Sequence, residues 1–225
     1  MERERAQALV AAIRREIAPV EEKLVGHPYL RALEAGELPR EALRTFAGEQ
    51  YFIIGSDLRS VAHLVSRFGG TPARDYFLGT LAGEQAAFSA VLAFARALGM
   101  DEAALAAYEP LPGAHAYTCY MAWLALYGSE AEVAAAYLVN FPAWGQSCGR
   151  MSRALRERYG LGQEDVCFFD QFAAAPPTFE ADSLAVIAQG LARGVDERAV
   201  RRAARLLQAY ELMYWDTLSA AAGMR

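Results

Sequence analysis

Apolar residues recur at three- and four-residue spacing along almost the whole chain, a period that belongs to amphipathic helices and not to strands. Ala6, Leu9, Val10, Ile13, Ile17, Val20 and Leu24 form the first stripe, and Gly26 marks its end. His27-Pro28 opens a short second helix, because proline's fixed φ suits a first turn. After Gly36-Glu37-Leu38-Pro39, a longer stripe at Leu43, Ala47, Ile54, Leu58, Val61, Val65 and Phe68 predicts a helix over about 40–68, stopped by Gly69-Gly70. Further helices are predicted over about 72–98, 114–127, 130–159, 163–174, 180–193 and 196–222, with a short one capped by Asp101. Ser129 and Asp196 stand where N-caps are needed. Pro142 falls inside the 130–159 segment and is expected to kink it. No segment alternates with period two, and no repeat, low-complexity tract or long linker divides the chain. The predicted fold class is all-α, one helical bundle over residues 1–225.

The stripes have exceptions, and these point to chemistry. Asp57, Glu84 and Glu211 each occupy a position where the helix should be apolar. Glu84 takes the middle of Phe77, Leu81, Phe88, Val91 and Ala95; Glu211 does the same among Val200, Ala204, Leu207, Tyr214 and Leu218. Gln50 lies in the stripe of the 40–68 helix, with Asp57 two turns on. Residues at that spacing share one face, so these groups are directed into the bundle. A carboxylate buried without partners costs several kcal/mol or takes up a proton. A ligand, a metal or one another must therefore account for them.

The charge balance narrows the choice. A net charge of −5 disfavours a sequence-independent grip on nucleic acid, and the Arg198, Arg201, Arg202 and Arg205 cluster reads as the solvated face of one helix. The charged start Met-Glu-Arg-Glu-Arg lacks the apolar stretch of a signal peptide. No run is read as reaching the roughly 18 residues of a membrane span. A cytoplasmic protein with no membrane partner is expected. Cys119, Cys148 and Cys167 are far apart and lack a Cys-x-x-Cys, which argues against a disulfide framework or structural zinc.

Acids inside a bundle first suggest a carboxylate-bridged diiron site, which wants Glu-x-x-His on two helices. Here Glu49, Glu84 and Glu211 are followed at that spacing by Phe52, Ala87 and Tyr214, and His27, His63 and His115 are scattered. No metal and no cofactor is therefore expected. Haem would need an axial ligand such as His27 and a close helix approach such as Gly145-x-x-x-Gly149; plain close packing explains the glycines as well. No Gly-x-Gly-x-x-Gly or Gly-x-Ser-x-Gly motif exists. Cys148, on a seam with Tyr137, Phe141, Trp144, Met151 and Leu155, reads as a small core hydrophobe. Trp144, Phe172, Tyr117 and Tyr214, with the buried polar groups, fit the wall of a pocket for a flat heterocycle.

His27-Pro28-Tyr29-Leu30, Gly36-x-Leu38-Pro39-x-Glu41-x-Leu43-x-x-Phe46, Ala116-Tyr117-Thr118-x-Tyr120-Met121 and Tyr210-Glu211-Leu212-Met213-Tyr214-Trp215-Asp216 occur in that order. This series resembles the TenA proteins, the thiaminase II enzymes of the haem-oxygenase-like all-α superfamily, which also holds the PqqC oxidases. The resemblance covers nearly the whole chain. It implies hydrolysis of an aminopyrimidine in thiamin salvage, a homo-oligomer, and a catalytic Glu at Glu211. It further implies an active-site Tyr at Tyr117 and Phe172 in place of a second active-site Tyr. The pyrimidine-holding Asp of the family falls on Gln50, and its nucleophilic Cys falls in the stretch containing Asn140, where no Cys stands. Relatives of that kind act by hydrolysis without the Cys, so Glu211, with Glu84 beside it, is expected to activate water. The substrate-binding set is Gln50, Glu84, Tyr117, Asn140, Trp144, Phe172 and Tyr214. Gln50 is expected to accept from a ring amine and donate to an unprotonated ring nitrogen, as amides do on adenine. A non-catalytic binder or regulator with the same pocket, or a PqqC-like oxidase, are the alternatives.

Overall fold

The computed structural model describes residues 1–224, which form ten α-helices and no strand. The helices are α1 (Glu2–Val25), α2 (Pro28–Ala35), α3 (Arg40–Phe68), α4 (Arg74–Ala97), α5 (Glu102–Ala106), α6 (Pro112–Tyr127), α7 (Glu130–Tyr159), α8 (Cys167–Ala173), α9 (Phe179–Ala192) and α10 (Glu197–Ala221). Helix α3 lies along α4 and α6, and α10 lies along α7 and α6. Helix α1 packs on α9 and α10, while α2 and α8 lie against α7. One apolar cluster from Ala6 to Leu218 fills the space between them.

Local chemistry sets the ends. The His27 ring caps α2 by accepting the Tyr29 N–H at Nδ1, 3.3 Å away, with Pro28 in the first turn. Gly36 closes that helix at φ 76°, a left-handed conformation that costs glycine nothing. Ser129 and Glu132 form a reciprocal capping box at the start of α7. Asp101 and Asp196 cap α5 and α10. Helix α7 runs on through Pro142 as one element. The 163–174 segment predicted as helix is shorter than expected: α8 begins only at Cys167, because Asp165 accepts the Gly162 N–H at 2.8 Å and holds the preceding residues in a turn.

Two contacts bear on what surrounds the interior. A Cβ on Gly145 would lie 2.7 Å from the Phe172 carbonyl oxygen, so the glycine exists to let α8 approach α7. Glu49 is buried and accepts from the Tyr108 hydroxyl (2.7 Å) and the Leu111 N–H (2.8 Å), pinning the segment after α5 onto α3.

The expectation that no run is long enough for a membrane span needs correction. By length and composition, α4 passes that test, because its many Ala, Leu and Phe residues raise its mean hydropathy. One face of α4 nonetheless packs on α3, and Glu84 sits midway along it, directed inward.

Candidate functional site

A cavity of about 350 Å³ opens inside the bundle between α3, α4, α6, α7 and α10. Helix α8, residues 174–178 and the start of α9 form its outer side, where Asp75 and Asp182 are exposed. All eight residues singled out from sequence line it: Gln50, Glu84, Tyr117, Asn140, Trp144, Phe172, Glu211 and Tyr214. Five helices and the short α8 each contribute one or more of them, which is why no single stripe reveals the set.

At one end of the cavity the polar groups hold each other. Gln50 on α3 donates through Nε2 to the Tyr214 hydroxyl at 2.8 Å, so one of its two N–H groups is committed within the protein. Glu211 accepts the Trp215 indole N–H at 2.8 Å, one helical turn along α10. Asn140 on α7 donates to the Gln208 amide oxygen at 2.9 Å. Burial pushes Glu211 up to about 7 from the ordinary 4.5, against the pull of hydrogen bonds from Trp215 and Asn140. Aromatic rings stand around this end: Trp144 packs edge-on to Phe172 (5.9 Å between centroids) and to Tyr214 (6.5 Å).

The other end is unlike it. Asp57 on α3 is 4% exposed, and its Oδ1 has no hydrogen-bond partner; Glu84 Oε2 on α4 is likewise buried and unpartnered. Burial raises both, Glu84 to about 7, and the Glu84 charge raises Asp57 further. Burial pushes the hydroxyls of Tyr117 and Tyr137 well above their ordinary values; Asp57, Glu211 and Glu84 add to the effect on Tyr117, and Asp57 and Glu84 to that on Tyr137. Tyr137 Oη is also buried without a partner. Glu84 and Glu211 share the cavity; the Glu84 charge acts on Asp57, while Glu211 is raised by burial and held back by its hydrogen-bond donors.

Sequence reasoning left Asp57 and Tyr137 out of the binding set. The signal was present, because Asp57 follows Gln50 by two helical turns and Tyr137 precedes Trp144 by two, each on the cavity face. Cys148 is fully buried, lies outside the cavity lining and has its thiol raised by burial, which suits a packing residue. Both nitrogens of His27 are engaged, Nδ1 by the Tyr29 N–H and Nε2 with Asp216 at 3.1 Å, so that ring is a structural cap. Among the described residues, no three His, Cys, Asp or Glu side chains form a metal-holding group.

The architecture belongs to a known class. A domain of unknown function from Shewanella denitrificans, described as having a heme oxygenase-like fold, superposes with a TM-score of 0.75 at 12% identity, over 94% of this chain and 92% of its own. A TenA homolog from Pseudomonas syringae matches at TM-score 0.79 and 14% identity, over 95% of this chain and 93% of its own. A Silicibacter protein described as a TenA family transcription regulator matches at 0.73 and 17%, over 93% and 96%. Residues 14–220 match the family model described as TENA/THI-4/PQQC, and the chain belongs to that family. Among curated proteins none matches the sequence.

Proposed function

We propose that this protein is a TenA-type hydrolase acting on an aminopyrimidine or similar amine-bearing heterocycle, with Glu211 as general base and acid. The observation that carries this reading is Glu211 itself: a buried carboxylate on the cavity wall, poised near neutral by its surroundings. A base whose pKa lies near working pH is ionised often enough to act and basic enough to take a proton. In this reading Glu211 takes a proton from water as its oxygen bonds to the ring-linked carbon. The carbon–nitrogen bond then breaks, and the departing amine receives that proton back. No Cys lines the cavity, so water, not a thiolate, is the nucleophile in this reading.

Trp144, Phe172 and Tyr214 would flank the flat ring, and the uncommitted groups of the Gln50 amide would read its edge. Tyr117 and Asn140 would border the reacting carbon. Work in thiamin salvage, a cytoplasmic location and a homo-oligomeric state accompany this proposal as properties the family resemblance implies. The test is turnover of 4-aminopyrimidines bearing an amine leaving group, comparing wild type with Glu211→Gln. Full activity in that variant would end the proposal.

A further inference from the structure

The cavity's polar lining has one sign. Among the described residues that line it, Asp57, Asp75, Glu84, Asp182 and Glu211 are acids, and no Lys, Arg or His accompanies them. Of these, Asp57 and Glu84 are the two whose buried oxygens find no donor in the protein. Glu211, by contrast, already has the Trp215 indole. Unpartnered buried carboxylate oxygens are expensive, and a cation carrying N–H donors is the group that relieves them.

We propose that Asp57 and Glu84 form a recognition subsite for an organic ammonium group, so that the ligand is a cation with its aromatic body toward Trp144 and Phe172. The inference rests on reading the cavity as a ligand site and adds a charge requirement to it. A primary ammonium offers three donors. Asp57 Oδ1, Glu84 Oε2 and the unpartnered Tyr137 hydroxyl are three acceptors on three different helices, α3, α4 and α7. Tyr117 from α6 and Tyr137 lie within electrostatic reach of both acids, and tyrosine rings favour a nearby cation. A hard metal ion fits less well, because calcium or magnesium wants about six or more oxygen ligands and only two carboxylates converge here. On the outer side Asp75 is paired with Arg74 at 2.9 Å, while the exposed Asp182 adds negative charge toward solvent.

The test compares two probes of nearly equal size, 2-phenylethylammonium and 2-phenylethanol, by calorimetry on the intact chain at pH 7.5. The ammonium should bind tighter by about tenfold or more. Asp57→Asn and Glu84→Gln should each remove most of that preference, because the amides keep shape and lose charge. Thermal melts accompany both variants, and Glu84→Gln, at a less deeply buried residue, carries the test if Asp57→Asn does not fold. Equal affinity for the two probes, no binding of either, or a preference that survives in the folded variants would overturn the subsite. Binding of 4-aminopyrimidine is measured beside them. Its failure would count against the heterocycle reading alone, since the phenyl probes do not depend on the Gln50 edge.

Discussion

The two ends of one cavity handle buried polar groups in opposite ways. At the Gln50–Tyr214 and Glu211–Trp215 end, the buried groups have intramolecular partners at 2.8 Å. At the Asp57–Glu84 end, oxygens equally removed from water have none. The first arrangement fixes geometry, as a catalytic group needs, since orientation must be set before substrate arrives. The second leaves a cost that a proton or an incoming donor can remove. In the proposed roles, depth of burial does not separate the mechanistic acid from the recognition acids; the presence of a fixed donor does.

The largest expected effect comes from cutting the partnered end. Glu211→Gln should lower kcat on any substrate by roughly a hundredfold or more, the usual contribution of a general base, with affinity little changed because the amide oxygen can still accept from Trp215. In wild type, kcat/KM should rise with pH and level off above about 7, where Glu211 becomes ionised. A flat profile from pH 5 to 9 in a working enzyme would mean that Glu211 transfers no proton.

The next effect is on stability, and its sign follows from the raised values. Glu84 and Glu211 titrate at about 7 in the folded chain and near 4.5 when unfolded. Between those values the native state holds protons that the unfolded state has released, so stability falls as pH rises through about 7 and is flat beyond. Each shift corresponds to a ceiling on the order of 3 kcal/mol at pH 8. Glu84→Gln and Asp57→Asn should therefore raise the melting temperature of the empty protein at pH 8 and change it little at pH 4.5. Guanidinium titrations at both pH values measure this directly. Loss of several kcal/mol in either variant at pH 8 would show that the acid is satisfied, and the contrast between the two ends would collapse.

A smaller effect sharpens the contrast from the other side. Trp215→Phe removes the indole N–H that holds the Glu211 carboxylate. Without that donor the charged form loses support, so the rising limb of the pH–rate profile should move to higher pH. Packing loss of roughly 1–3 kcal/mol is expected as well, since Trp215 is buried against Phe46 and Trp144. An unmoved midpoint in the folded variant would make the indole a packing group only.

How far the sequence carries depends on the kind of information required. The helices were legible because each needs only its own period and caps; Ser129, Asp101 and Asp196 cap where the pattern puts them. The turn before α8 was missed because it depends on one side chain, Asp165, reaching back to Gly162. That the polar residues converge on one cavity was legible from their place on apolar stripes. Who pairs with whom was not. Glu84 and Asp57 sit on different helices, and only the side-by-side packing of α3 and α4 couples them. Likewise, nothing local tells that Glu211 is held by Trp215 while Asn140 is engaged by Gln208.

The smallest expected effect is that of Cys148→Ala, and it is informative for that reason. The resemblance to TenA enzymes raises a Cys nucleophile as a mechanism to test, and Cys148 is the thiol nearest in sequence to the Asn140 position. It is exposed neither to solvent nor to the cavity, and burial disfavours its thiolate, the nucleophilic form. Replacing it removes one sulfur atom from a packed site, which should cost about 1 kcal/mol of stability and leave kcat and KM unchanged. Alkylating reagents should label the exposed Cys119 first and Cys148 last. Turnover lost in a folded Cys148→Ala protein would restore a thiolate mechanism. Glu211 would then become the base that activates a cysteine, and the partnered end of the cavity would keep its geometry but change its chemistry.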